Sequence, residues 1–255
     1  MEIVIIGTGN TATVIGKKLV TAGNDILQVF GRNSKNAEDL AVTLNSKPCN
    51  SWDHITRQAD FYLVAIADKA LYELEHHFHL RGGIVLHTAG SVSKGIFKNI
   101  TSDYGVLYPL QSIRKEMPVL TEIPLLVDAS NEQTLEKVLY LARQISGQVS
   151  LADDEKRLRL HLAAVCLNNF TNHLYQVAAD FCQKEHVEFN LLLPLLLETA
   201  KRMELVSPDE ALTGPAIRND QVTINRHLDL LQSYPLFYRL YEQMTRSIRE
   251  FNNIL

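Results

Sequence analysis

The 255-residue chain reads as an α/β protein: a mostly parallel sheet domain over residues 1–152, then an all-helical domain over residues 153–255. Three observations predict this. Short β-rich runs alternate with amphipathic stretches through the first domain, the sequence form of β-α-β units. Beyond "SGQVSLADDEK" that alternation stops and apolar residues recur at intervals of three and four, the helical period. Between the first β-rich run, "EIVII", and the first amphipathic stretch lies "GTGNTA", a glycine-rich turn where a strand feeds a helix.

In chain order, strands are predicted at residues 2–6, 25–30, 61–66, 84–87, 104–108, 124–127 and 148–151. Helices are predicted at residues 11–22, 35–44, 69–79 and 132–146, the last opened by Asn131 as a cap. The second domain is predicted to hold a long helix at 154–184, another at 190–203, the loop "ALTGPAIRND", and two further helices separated near Pro235. The most apolar stretch, "NLLLPLLLETAKR", carries Pro194 and ends at Glu198, short of the roughly twenty residues that span a bilayer. It reads as a buried helix.

Composition narrows the function. With 29 acidic against 25 basic residues and a net charge of −4, the chain has no basic field for a nucleic acid backbone or an anionic membrane surface. Cys49, Cys166 and Cys182 fall at no metal-ligand spacing and read as reduced thiols. A strand begins within two residues of Met1, so no export signal is read and a cytoplasmic location is expected. His76, His77 and His79 lack carboxylate or cysteine partners at ligand spacing, so no metal is expected. A G-x-S-x-G nucleophile elbow is absent.

Gly7, Gly9 and Ala12 fit the fingerprint G-x-G-x-x-G/A of a Rossmann-like domain. The first glycine turns the chain, the second lets the backbone approach a pyrophosphate, and the small third residue lets the helix pack on its strand. Thr8, Asn10 and Thr11 complete the turn, and the helix behind it aims its amides at the phosphates. The competing reading is a strand-to-helix turn that has lost its nucleotide. An NAD site places Asp or Glu after the second strand, whereas this chain has Gly31, Arg32, Asn33 and Ser34. Arg32 suits a 2′-phosphate, which favours NADP over NAD, although a solvated loop arginine is the plainer alternative.

Ligands of open α/β sheets lie beyond the carboxyl ends of the strands. Ala65, Ile66, Ala67 and Thr88 are therefore expected on the nucleotide, Asp68 as a helix cap, and Ser91 and Gln111 on a substrate. His87 ends an apolar strand and reads as a core residue before a catalyst. In the helical domain His161 and Asn168 are seven apart and share a helix face left open by Ala164. They are the candidate catalytic pair, His161 as proton donor and Asn168 orienting the substrate, or else a mere interhelical contact. Thr213 and Arg218 sit on the loop stiffened by Gly214 and Pro215 and are substrate candidates. Arg218 can instead pair with Asp220, which can also cap the following helix.

"GTGNTA" with "FGRN" resembles the coenzyme domain of the pyrroline-5-carboxylate reductase and 6-phosphogluconate dehydrogenase group. "VLHTAGSVS", "GVLYPLQSI", "HLAAVCLNNF", "LLPLLLET" and "ALTGPAIRND" together resemble an uncharacterised family assigned as NADP-dependent oxidoreductases, with a Rossmann-like N-terminal domain and a helical C-terminal domain of unknown function. The resemblance covers nearly the whole chain. It implies NADP as cofactor and a homodimer formed through the helical domain. Ala89 and Tyr108 stand where that family has Ser and His, so a role needing those groups does not carry over. Related dehydrogenases use Lys and Asn on the corresponding long helix, which makes His161 a substitution in kind. The expected activity is hydride transfer between NADP and a small substrate held between the domains. The alternatives are a dinucleotide-binding regulator or scaffold without turnover, and exchange with a deazaflavin.

Overall fold

The computed structural model describes residues 1–80, 82–118 and 122–254. They form two compact units, Met1–Asn168 and the remainder from Asn169. In the first unit a single sheet contains β1 (Glu2–Ile6), β2 (Asp25–Phe30), β3 (Lys47–Cys49), β4 (Phe61–Val64), β5 (Ile84–His87), β6 (Tyr104–Pro109), β7 (Leu125–Ala129) and β8 (Val149–Leu151). Its order is β3-β2-β1-β4-β5-β6-β7-β8. β6 and β7 pair antiparallel and the other neighbours pair parallel. The order therefore reverses at β1, and the crevice beyond its end is where such sheets take ligands.

β1 shows why the sheet is mostly parallel. Ile3, Val4, Ile5 and Ile6 are all 0% exposed. Alternate residues enter different cores, Ile3 and Ile5 on one face, Val4 and Ile6 on the other. A strand buried on both faces needs covering layers above and below. On one face these are α1 (Asn10–Thr21) and α4 (Glu132–Ile145). On the other, Leu71, Leu74, Phe78 and Phe97 fill the layer. α2 (Ser34–Thr43) is capped by Asn33, whose side chain accepts from the Asn36 amide at 3.0 Å.

Two elements of this unit depart from expectation. β3 has the sequence "KPC", without alternation and with Pro48, and the sheet edge is where a strand proline is tolerated. The helix expected at 69–79 is α3 (Asp68–Leu71) followed by a 3₁₀ turn at Leu74–His76. Its apolar spacing does mark the buried face, since Leu71, Leu74 and Phe78 all reach the core, but the backbone tightens between them.

The helical run expected at 154–184 begins as α5 (Asp154–Ala164), widens into a π-helical turn at Val165–Phe170, and resumes as α6 (Thr171–Lys184). The boundary between the units falls inside that turn, later than the change in composition at residue 152. α5 stays with the sheet because it is bolted to the loop after β5. Arg157, 1% exposed, donates to the Val92 carbonyl and, at 2.8 Å, to Asp154. Asp154 in turn accepts from the Ser93 hydroxyl and, at 3.0 Å, from the Lys94 amide.

The second unit continues with α7 (Leu193–Arg202), α8 (Pro208–Ala211), α9 (Gln221–Leu230) and α10 (Pro235–Phe251). A 3₁₀ turn at Phe189–Leu192 leads into α7, and Pro194 sits in its first turn, where its missing N–H costs nothing. Ser207 and Glu210 form a reciprocal capping box on α8. Among the described residues, no helix is long and apolar enough to cross a membrane.

Candidate functional site

A cavity of about 750 Å³ opens at the carboxyl ends of β1, β2, β4 and β5. Gly7, Thr8, Gly9, Asn10 and Thr11 line it, as do Gly31, Arg32 and Asn33. Ala65, Ile66, Ala67 and Thr88 close the far side. Of the residues expected on the nucleotide, only Ala12 and Ser34 lie outside the lining. Ala12 is buried under the turn, as the small third position requires, and the Ser34 hydroxyl accepts from Asn50 at 2.7 Å.

The two glycines of the turn serve different ends. Gly7 has φ +124°, and an added Cβ would lie 2.1 Å from the Ala65 carbonyl oxygen. Gly7 is thus demanded by the fold itself. Gly9 has φ −82°, and an added Cβ would meet nothing within 4 Å. Packing within the protein does not require glycine there, and the open space lies along the cavity lining. Gly9 is also the N-cap of α1 and makes no side-chain cap bond. The first-turn amides of a helix have no intrahelical partner, which leaves those of α1 available to an anion in the cavity.

Arg32 is exposed at the end of β2 and forms no ion pair among the described residues. The lining also includes Asn36, Trp52, His77 and Ile113, which sequence reasoning missed. Asn36 follows the cap residue Asn33 by one turn of α2, a signal open to a closer reading. Trp52 follows the unexpected β3. Its ring packs on Phe30 at 4.0 Å between centroids and lies parallel to His77 within 5° at 5.7 Å. Ile113 is tied to the turn by its carbonyl, which accepts from Asn10 Nδ2 at 3.1 Å.

Beyond Thr88 the chain enters a second polar group. Tyr108 on β6 and His161 on α5 meet at 2.9 Å between Oη and Nδ1, rings edge to face at 79°. Gly90 is wedged against them: an added Cβ would lie 2.7 Å from His161 Cγ and Nδ1 and 3.0 Å from Tyr108 Cζ. Burial pushes the Tyr108 hydroxyl up from its usual pKa, Arg157 opposes this, and Asp68 adds to it. Asp68 does not cap α3, whose N-cap is Ala67; it accepts from the Ser91 hydroxyl at 2.7 Å. Ser91 is therefore engaged with a carboxylate beside the cavity.

His87 is a core residue. It is 0% exposed, sits edge-on to Phe97, and its Nδ1 accepts from the Ala89 amide at 3.2 Å. Burial, with Arg157 nearby, lowers its pKa to about 4.

The remaining candidates have settings of their own. Asn168 is exposed in the π-helical turn, and a turn of that kind takes about one extra residue, so a spacing of seven no longer puts it in line with His161. Gln111 is exposed and accepts from the Ser112 amide at 2.9 Å. Thr213 and Arg218 are exposed in the helical unit, on a loop where Gly214 takes φ +116°. Asp220 caps α9 through the Thr223 hydroxyl at 2.7 Å and amide at 3.0 Å, and these bonds hold its carboxyl below the usual range. Arg218 makes no ion pair with it among the described residues. No group of three or more His, Cys, Asp or Glu among the described residues is arranged to hold a metal.

Known proteins match both parts of the chain. The family model described as NADP oxidoreductase, coenzyme F420-dependent, matches residues 2–89, and the domain of unknown function DUF2520 matches residues 123–248. A Bacteroides fragilis protein assigned as an NADP oxidoreductase is 37% identical over 98% of both chains, with a TM-score of 0.90. Pyrroline-5-carboxylate reductase from Streptococcus pyogenes is 13% identical over 98% of both chains, with a TM-score of 0.67. An imine reductase from Myxococcus stipitatus, solved with NADP+, is 15% identical over 100% of this chain and 95% of its own, with a TM-score of 0.69. At such identities the last two share the fold alone. No curated protein matches the chain in sequence. Identity sustained along the full length of the Bacteroides protein, with both segment models in chain order, places this chain in that protein's family, in which a part of the NADP oxidoreductase type precedes DUF2520.

Proposed function

We propose that the chain is an oxidoreductase that binds NADP(H) in the cavity beyond β1 and acts on a small carbonyl or imine substrate beside Thr88 and His161. The observation that carries this reading is Gly9: a position with open space on the cavity side, at the uncapped start of α1. A diphosphate fills such a place because backbone amides can approach it where no side chain intervenes. No carboxylate occupies residues 31–34, which disfavours a bare ribose. Arg32 and Asn36 offer a cation and an amide to a 2′-phosphate. When bound, the cofactor supplies or accepts hydride. His161, half-buried with Nε2 unbonded among the described residues, donates the proton that the substrate heteroatom requires, and Thr88 orients the substrate. The reading includes a homodimer formed through the helical unit, supported by the leucines that unit leaves exposed.

Thermal melting with each dinucleotide tests the binding. NADPH is expected to raise the melting temperature by several degrees at saturating concentration and NADH by less. Gly9→Val is expected to melt like the parent alone and to lose that gain. Stabilisation by neither dinucleotide would overturn the proposal.

A second reading has one observation in its favour: Asn168, the expected partner of His161, is exposed within the π-helical turn. On that reading the chain is a regulator or scaffold that binds NADP(H) without turnover. It predicts no NADPH oxidation across ketones, imines and 2-oxo acids, whereas the enzyme reading predicts turnover that His161→Ala lowers without loss of NADPH affinity. Because the matched family model is described as coenzyme F420-dependent, a deazaflavin belongs in the same panel.

A further inference from the structure

We propose that Tyr108 is the positioning residue for His161, holding Nδ1 so that only Nε2 faces a substrate and fixing which nitrogen carries the proton when the ring is neutral. The proposal rests on the reading of His161 as proton donor and adds a residue to which that reading gave no role.

The two side chains come from elements fixed independently. Tyr108 lies on β6, beside β5, and packs with Val106, Leu126 and Leu160. His161 lies four residues beyond Arg157 on α5, hence on the same helix face, and Arg157 is the group that ties α5 to the Val92 carbonyl. The anchor and the acid are therefore one turn apart on one rigid helix. Gly90 completes the seat, since only a residue without Cβ allows the backbone so close to the imidazole. The ring is thus constrained by a hydrogen bond at one nitrogen and by main chain against its Cγ and Nδ1.

The chemistry of the partner decides the proton's place. A buried phenol proton needs an acceptor, and His161 Nδ1 is the only hydrogen-bond partner of Tyr108 Oη among the described residues. Burial opposes loss of that proton. In the neutral ring Nδ1 therefore accepts and Nε2 carries hydrogen. In the charged ring Nδ1 donates, and the same hydroxyl rotates to accept, because it has both a proton and lone pairs. A carboxylate here could serve only the donating state. When the charged ring gives its Nε2 proton to the substrate heteroatom, Nδ1 keeps its hydrogen bonded to Tyr108 Oη, and this less favoured neutral tautomer lasts only until solvent returns a proton to Nε2. The imidazole is left neutral, without a change of orientation.

Nitrogen-15 NMR of the His161 imidazole reads this without substrate or cofactor. In the parent protein above pH 8 the neutral ring is expected with hydrogen on Nε2; hydrogen on Nδ1 would overturn the assignment. Tyr108→Phe keeps the aromatic packing and is expected to mix the two tautomers, with NADPH affinity unchanged within twofold. An imidazole spectrum identical in parent and variant above pH 8 would also overturn it. In turnover, the variant is expected to lose at least tenfold in kcat while KM for NADPH stays constant. The parent spectrum decides the matter even if the variant does not fold. Failure of NADPH to bind sinks the oxidoreductase reading and leaves the tautomer measurement standing, so the two failures are distinguishable.

Discussion

The sheet unit and the helical unit bury their apolar residues to very different degrees. In the first, successive residues of β1 disappear into two cores, and helices and turns cover both faces. In the second, Leu191, Leu197 and Leu205 are 74%, 64% and 83% exposed, and Leu195 joins them at the surface. The hydrophobic effect acts equally on both parts of one chain. The first covers its apolar residues by its own contacts, while the second leaves large apolar side chains at the surface, as proteins do where a partner binds. The proposed nucleotide site and the proposed assembly face fall in different regions, and each can be disturbed while the other is watched.

The largest effect is expected from Gly7→Ala. Its Cβ would meet the Ala65 carbonyl oxygen at 2.1 Å on a backbone with φ +124°. The clash and strain together cost more than about 3 kcal/mol. Circular dichroism should show the cooperative melt of the sheet lost or lowered by well over ten degrees, and a variant melting like the parent breaks the claim that this unit is closed on itself.

Acid comes next. Burial lowers the His87 pKa to about 4 in the folded chain, against 6.5 for an unperturbed histidine. Between those values the unfolded state binds more protons, so stability is complete above pH 6.5 and falls as pH drops toward 4. The span corresponds to about 3 kcal/mol. Chemical denaturation at a series of pH values should show that slope, and His87→Asn, which offers an acceptor to the Ala89 amide, should flatten it.

The helical unit supplies the third test. Replacing Leu195 and Leu197 together with Asp is expected to weaken the proposed homodimer by about a hundredfold, the order expected from losing two buried leucines at an interface. Sedimentation should then show monomer where the parent is dimer, while the sheet still melts. If both proteins sediment alike, the contrast between the units does not mark an assembly face. The smallest effect is expected from Arg32→Ala: about tenfold weaker NADPH binding by calorimetry, with NADH binding unchanged, as for loss of one charged hydrogen-bonding partner.

What was legible in the sequence was whatever local chemistry dictates. The strands around β1 announce themselves because a doubly covered strand must be continuously apolar, and Gly7 because the turn needs positive φ. Asn131 and Asp220 cap α4 and α9 as read, since a cap is a local bond. β3 was hidden by Pro48, which argues against a strand anywhere except an edge, and edges are decided by the whole sheet. The π-helical turn was invisible because the apolar spacing on either side still reads as helix. That one turn changes the helical register between His161 and Asn168. The bond between Tyr108 and His161 joins residues 53 apart, on a strand and a helix whose register only tertiary packing sets. Trp52 entered the cavity wall by the same route.

That placement of Trp52 has a practical consequence. It is the chain's single tryptophan, and it forms part of the wall against which a bound dinucleotide would lie. Nearly all emission excited at long ultraviolet wavelengths must originate there. The molecule carries its own optical gauge of occupancy, readable in dilute solution without any label.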